Sequence, residues 1–169
     1  MNKILLIITG SIAASRCKEI IALLNINEIK ISCILTKEAK KYVKISDIKK
    51  LLKNRIFTDE DEKKNKMLHI NLSRDNDIIV MCPATANSIA KFANGYGDNL
   101  ASNTLLASNK KILFVPAMNS FMWHNKINQK NVRLLKDSGH EFIGPTVGNL
   151  KCGEFGLGRI DNSKNIVNR

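Results

Sequence analysis

Residues 3–15 read KILLIITGSIAAS: an unbroken apolar run, a glycine, then small residues opening a helical pattern. An apolar run without alternation marks a parallel strand covered on both faces. Gly10 permits the sharp turn that leads from it into a helix. A lysine followed by an apolar run also resembles a secretion signal, but this one spans only about six residues before Thr9 and Gly10. That is short of the roughly 7–15 residues a signal core needs, and a buried first strand is the better reading.

The alternation continues downstream. Residues 11–24 carry Ile12, Cys17, Ile20, Ile21 and Leu24 at helical spacing, and 30–36 (KISCILT) form a second strand ending in Thr36. KEAKKYV at 37–43 is helical, and Ser46 is expected to cap a short helix over 46–53 with Asp47 in its first turn. Residues 58–66 (TDEDEKKNK) read as an exposed connection. A third strand at 77–82 (DIIVMC) runs into Pro83, with helices over 86–93 and 98–107. A fourth strand at 111–115 stops at Pro116, and a helix over 128–137 ends at Gly139. A short fifth strand at 141–143 precedes a loop with Gly144, Gly148, Gly153, Gly156 and Gly158. This order predicts an α/β fold: a three-layer, doubly wound parallel sheet, Rossmann or flavodoxin-like, in a single domain over 1–169.

A length of 169 residues suits one domain, and 44% hydrophobic with 25% charged residues excludes a disordered chain. No apolar stretch approaches the ~20 residues of a membrane span, so a cytoplasmic protein with no membrane partner is expected. The net charge of +12 invites a nucleic-acid partner. The lysines are spread along the chain, however, and the denser patches (Lys40-Lys41, Lys49-Lys50, Lys63-Lys64, Lys110-Lys111) lack interleaved aromatics. A solvated surface is expected, with no nucleic acid. The four cysteines form no C-x-x-C pair, which argues against a metal site or a disulfide framework. Cys17, Cys33 and Cys82 fall in apolar elements and read as small buried hydrophobes. Cys152 lies in the glycine-rich loop.

Ligands of such sheets bind beyond the carboxyl ends of the strands, which directs attention to four junctions. TGSIAAS offers Gly10, Ser11 and Ile12 at a helix start that suits an anion, although the single glycine fails the dinucleotide fingerprint. Thr36 closes the second strand. PATANS (83–88) surrounds a helix start with hydroxyl and amide groups, which could be pure capping or could let a phosphate or flat ring approach the backbone. PAMNSFMW (116–123) places one amide, Asn119, among apolar side chains and could be a packing loop or a pocket. His69, in LHINLS (68–73), lies just before the third strand, where these junctions converge; His124 and His140 read as structural.

TGSIAAS, LHINLS, PATANSIAKFANGYGDNLAS, PAMNSFMW and KCGEFGLGR (151–159) together resemble the flavin-containing cysteine decarboxylase family, over residue 3 to about residue 160. The resemblance implies FMN as cofactor, contacted by Gly10, Ser11, Ile12, Thr36, Pro83, Ala84, Thr85 and Ala86. It implies His69, Asn119 and Cys152 as catalytic residues. Asn119 would hold the substrate carboxylate, with Leu150 and Lys151 beside Cys152 on a mobile flap over 146–160. The small-molecule branch is the nearest match, implying phosphopantothenoylcysteine as substrate in coenzyme A biosynthesis. The implied reaction oxidises the thiol to a thioaldehyde, releases carbon dioxide and re-reduces the enethiolate. Cys152 would be the acid in the last step, and the glycines of the flap would let it open and close.

A homotrimer or a dodecamer of trimers is implied, with flavin at subunit contacts and a separate synthetase, since the chain ends at Arg169. The family often has tyrosine and lysine where Ser15 and Arg16 stand here, and methionine at Ile160. Peptidyl-cysteine decarboxylases share the PATANS-like and PAMN-like turns, but KCGEFGLGR points to the small-molecule branch. Non-catalytic regulatory relatives carry long acidic tails, absent here. Flavin prenyltransferases lack the PAMNSFMW pattern.

Overall fold

A computed structural model describes residues 3–52 and 56–169. Strand β1 (Lys3–Ile8) is followed by a 3-10 turn (Ile12–Arg16), α1 (Cys17–Ile26), β2 (Lys30–Leu35) and a second 3-10 turn (Glu38–Lys41). Then come α2 (Ile45–Leu52), β3 (Ile56–Phe57), α3 (Asp59–Lys64), α4 (Leu68–Arg74), β4 (Ile78–Ala84), α5 (Ala86–Ala93) and α6 (Leu100–Leu106). The remainder is β5 (Ile112–Pro116), α7 (Ser120–His124), α8 (Lys126–Asp137), β6 (Glu141–Phe142), β7 (Thr146–Asn149), β8 (Phe155–Arg159) and α9 (Ser163–Val167).

Six strands form one parallel sheet in the order β3-β2-β1-β4-β5-β6, and β7 with β8 forms a separate antiparallel hairpin. The chain winds first to one side of β1 and then to the other, which is the expected doubly wound topology. Alternation along each strand divides the core into two layers. Ile4, Leu6, Ile8, Cys33, Leu35, Val80, Cys82, Leu113 and Val115 pack with α1 and α2 on one face. Leu5, Ile7, Ile34, Ile79, Met81, Ile112 and Phe114 pack with Leu68, Ile89, Leu105 and Val132 on the other. Leu5, Leu6, Ile7 and Ile8 are fully enclosed, each worth about 1.5–3 kcal/mol of burial. Among the described residues no helix is long and apolar enough to cross a membrane.

Several boundaries differ from the sequence expectation. The helix read over 11–24 is a 3-10 turn that continues into α1, because the Ser11 hydroxyl accepts the Ala13 N–H at 3.2 Å and tightens the first turn. The pattern at 37–43 is likewise only a short 3-10 turn. Ser46 lies inside α2, which begins at Ile45, so it is not the cap; residue 53 of that expected helix lies outside the described residues. Residues 58–66 are not a plain connection. The Thr58 N–H and hydroxyl both donate to Asp61 (2.8 and 2.9 Å), and four acidic residues in the first turn of α3 complement the helix dipole. Strand β4 continues through Pro83, and the β4–β5 pairing breaks register between Met81 and Ala84, so the proline, which has no N–H to donate, sits at the irregularity. The glycine-rich loop contains the β7–β8 hairpin.

His140 packs in a tilted and edge-on cluster with Phe92 and Phe114, its ring centroid 5.3 Å and 6.1 Å from theirs, and its Nδ1 accepts the Ile112 N–H at 3.3 Å. Burial lowers its pKa from the ordinary 6.5. The unfolded chain therefore takes up the proton at higher pH than the folded one. Stability from this site is complete above 6.5 and is lost as pH falls from there through the lowered folded value. Thermal unfolding measured between about pH 7 and 5 is expected to show a shallower acid decline in His140→Phe than in the wild type.

Candidate active site

The strand-end turns open onto one cleft of about 1280 Å³, bounded by the β1, β2, β4 and β5 junctions, α6 and the β7–β8 hairpin. A site for one drug-sized ligand occupies roughly 300–1,000 Å³, so this cleft has room for a second molecule.

Gly10, Ser11, Ile12, Thr36, Thr85 and Ala86 all line the cleft. Gly10 is required there because a Cβ would collide with the side chain of Glu38. Thr36 ties the two strand ends together: its hydroxyl donates to the Ile8 carbonyl at 3.2 Å and accepts the Ala39 N–H at 3.3 Å. The Thr85 hydroxyl accepts the Ser88 N–H at 3.2 Å while the Ser88 hydroxyl accepts the Thr85 N–H at 2.9 Å. This capping box satisfies the Ser88 N–H, and Ala86 and Asn87 at the start of α5 line the cleft. Pro83 and Ala84 are not among the lining residues; both are buried in β4. The Pro83 carbonyl accepts the Thr9 hydroxyl at 2.5 Å and the Ala84 carbonyl accepts the Ala117 N–H at 3.2 Å. They shape the turn.

The far wall holds Asn119, Leu150, Lys151 and Cys152. Asn119 caps α7: its Oδ1 accepts the N–H groups of Phe121 (2.8 Å) and Met122 (3.3 Å). That fixes which end of the amide faces the cleft. Its Nδ2 lies 3.6 Å from the Cys152 thiol and donates to the Glu154 carboxylate. Among the four cysteines only Cys152 is exposed; Cys17, Cys33 and Cys82 are buried, and burial pushes the Cys33 thiol well up.

The glycines of the hairpin also have a packing role. A Cβ on Gly158 would strike the Met118 carbonyl, and one on Gly156 would lie 2.7 Å from the Ser120 hydroxyl. The Met118 N–H donates to the Gly158 carbonyl at 3.0 Å. Gly156 and Gly158 thus let β8 lie flush against residues 118–120. Gly153, at φ +90°, turns the tip, where the Leu150 N–H donates to the Glu154 carbonyl at 2.8 Å.

His69 is not brought to the cleft of its own chain. It lies in α4, where its Nδ1 is 2.7 Å from Glu62 of α3. LHINLS does lie just before β4 in the chain, as expected, with His69 turned toward α3. Asp59, Lys91, Asp98 and Arg159 also line the cleft and were not singled out from sequence. Asp59 accepts the Leu100 N–H at 2.9 Å, and the Lys91 ammonium beside Asp98 holds that carboxyl below its ordinary value. Arg16 reaches the cleft edge with its Nε buried and unpartnered among the described residues. No cluster of three or more His, Cys, Asp or Glu among the described residues is placed to hold a metal ion.

Ile12, Met81, Ala117, Met118 and Ile160 give the cleft apolar walls, while Ser11, Thr36, Thr85, Asn87 and Ser88 supply hydroxyl and amide groups. A flat ring carrying a phosphorylated chain fits that division.

Comparison with known proteins agrees. The chain is 31% identical over 172 residues to a probable phosphopantothenoylcysteine decarboxylase of Streptococcus mutans, covering 99% of this chain and 96% of that one. It is 32% identical to the coenzyme A biosynthesis bifunctional protein CoaBC of Bacillus subtilis, covering 98% of this chain but spanning only 41% of that protein's length. A cysteine-to-serine variant of PPC decarboxylase, complexed with pantothenoylaminoethenethiol, superposes with a TM-score of 0.90 at 29% identity, covering 99% of this chain and 94% of that one. The FMN binding protein AtHal3 gives 0.89 at 28% identity, covering 99% and 93%. The Flavoprotein family model matches residues 1–169, and the chain belongs to the Flavoprotein family.

Proposed function

We propose that this protein binds FMN and decarboxylates phosphopantothenoylcysteine to phosphopantetheine in coenzyme A biosynthesis. The observation that carries this reading is the meeting of the Asn119 amide and the Cys152 thiol, 3.6 Å apart, across a cleft large enough for a cofactor and a substrate. When bound, FMN supplies a reversible acceptor for two electrons.

The residues of the chain divide the remaining work. The Asn119 donor holds the substrate carboxylate without neutralising it, leaving it able to depart as carbon dioxide. The hairpin, with Leu150 and Lys151, covers the substrate and excludes water. Cys152 delivers a proton to the decarboxylated carbon. Gly10, Ser11, Ile12, Thr36, Thr85 and Ala86 form the cofactor cradle, with Pro83 and Ala84 setting its shape.

In this reading the enzyme is a homo-oligomer, a trimer or a dodecamer of trimers, and His69 acts in the cleft of a neighbouring copy. Its place outside its own chain's cleft, one turn from the cleft residue Asp59 through Glu62, supports that arrangement. Mixing His69→Asn and Cys152→Ser subunits, neither of which forms phosphopantetheine alone, should then restore phosphopantetheine formation after dissociation and reassembly, since mixed contacts contain intact sites. No recovery on verified mixing would refute the shared site. Free thiols at all four cysteines accord with residence in the reducing cytoplasm. A synthetase activity must supply the substrate. Purified protein should be yellow and release FMN on denaturation; a protein that neither carries nor takes up FMN refutes the reading.

A further inference from the structure

The donor assigned to the substrate carboxylate already holds a carboxylate of the protein. With Oδ1 committed to the α7 backbone, Asn119 can only present Nδ2 to the cleft, and the group it meets is Glu154. Glu154 is half-buried at the tip of the hairpin, held by the bond from the Leu150 N–H to its carbonyl (2.8 Å) and by the Gly153 turn. An amide nitrogen is a small target, and two carboxylates on it would repel each other.

We propose that Glu154 is a built-in stand-in for the substrate carboxylate, latching the hairpin tip to Asn119 and exchanging with the incoming substrate. The proposal rests on the reading of Asn119 as the carboxylate anchor. It makes Glu154 a specificity-determining residue. A ligand bearing a carboxylate displaces Glu154 and takes its donor. The decarboxylated product cannot, so Glu154 returns to Asn119 once carbon dioxide has left, and binding is biased toward substrate and away from product. The latch also holds Cys152 beside Asn119 before any substrate arrives, on the side from which a proton is needed.

The test compares FMN-loaded wild type with Glu154→Ala and Glu154→Gln, the second keeping the side-chain shape. Without substrate, hydrogen exchange at the Leu150 and Gly153 amides, which close the tip, should quicken about fivefold in Glu154→Ala, as expected for removal of one hydrogen bond. The Met118 amide, bonded to Gly158, should not change. With substrate, the KM for phosphopantothenoylcysteine should fall about fivefold in Glu154→Ala, where binding no longer competes with the latch, and by less in Glu154→Gln, whose amide oxygen still accepts from Asn119. The inhibition constant of phosphopantetheine should stay unchanged. Unchanged exchange at the tip overturns the latch whatever the turnover. A KM and a product inhibition constant that move together overturn the exchange with substrate. Faster exchange in a chain whose wild type never turns over phosphopantothenoylcysteine leaves the latch standing and overturns the proposed substrate instead.

Discussion

Asn119→Asp is expected to lower kcat/KM by about 10³-fold while leaving the fold intact, since losing one preorganised donor costs about 10²–10³ and like charge adds to it. The reasoning is geometric. One oxygen of the aspartate can still accept the Phe121 and Met122 N–H groups, so the cap on α7 survives. The second oxygen replaces the Nδ2 donor that faces Cys152 and Glu154. A donor for a carboxylate becomes a negative charge opposing one, at the site and on the latch. Steady-state kinetics beside thermal unfolding tests this. Near-normal kcat/KM with an unchanged melting temperature would remove Asn119 from carboxylate binding.

The second large effect concerns Cys152, the one exposed cysteine of the chain. Cys152→Ser should still consume substrate and release carbon dioxide but fail to form phosphopantetheine, yielding up to one equivalent per bound FMN of the enethiol that is two electrons more oxidised, with those electrons left on the flavin. Phosphopantetheine formation is expected to fall at least 10²-fold, the usual contribution of a positioned proton donor. A hydroxyl preserves size and polarity but is far too weak an acid to replace the thiol. Formation of phosphopantetheine at the wild-type rate by Cys152→Ser would place the proton elsewhere, and Glu154, on the same Asn119 donor, would be the first group to examine.

Much of this was legible in the chain because strong local signals coincided with tertiary demand. The runs at Lys3–Ile8 and Ile112–Pro116 are apolar on both faces, and both became interior strands of a covered sheet. Gly10, Thr36 and Thr85 were legible as junction residues because each lies where a strand ends. Other features were hidden for physical reasons. Residues 59–64 are charged all round, so no apolar period announces α3; only the Thr58–Asp61 pair could have done so. The packing role of glycines 156 and 158 was hidden because sequence carries no trace of the Met118 carbonyl and Ser120 side chain that press against them. Glu154 was passed over as one more loop acid, since nothing local to KCGEFGLGR reveals that it meets Asn119, 35 residues earlier. His69 was drawn toward the site by its motif, although the fold turns it toward Glu62.

Purified, FMN-loaded protein is incubated with phosphopantothenoylcysteine, and the products are read by mass. Conversion to phosphopantetheine with matching release of carbon dioxide, dependent on FMN, is the expected result. Recovery of the substrate unchanged by protein that is folded and fully loaded with FMN would contradict the account.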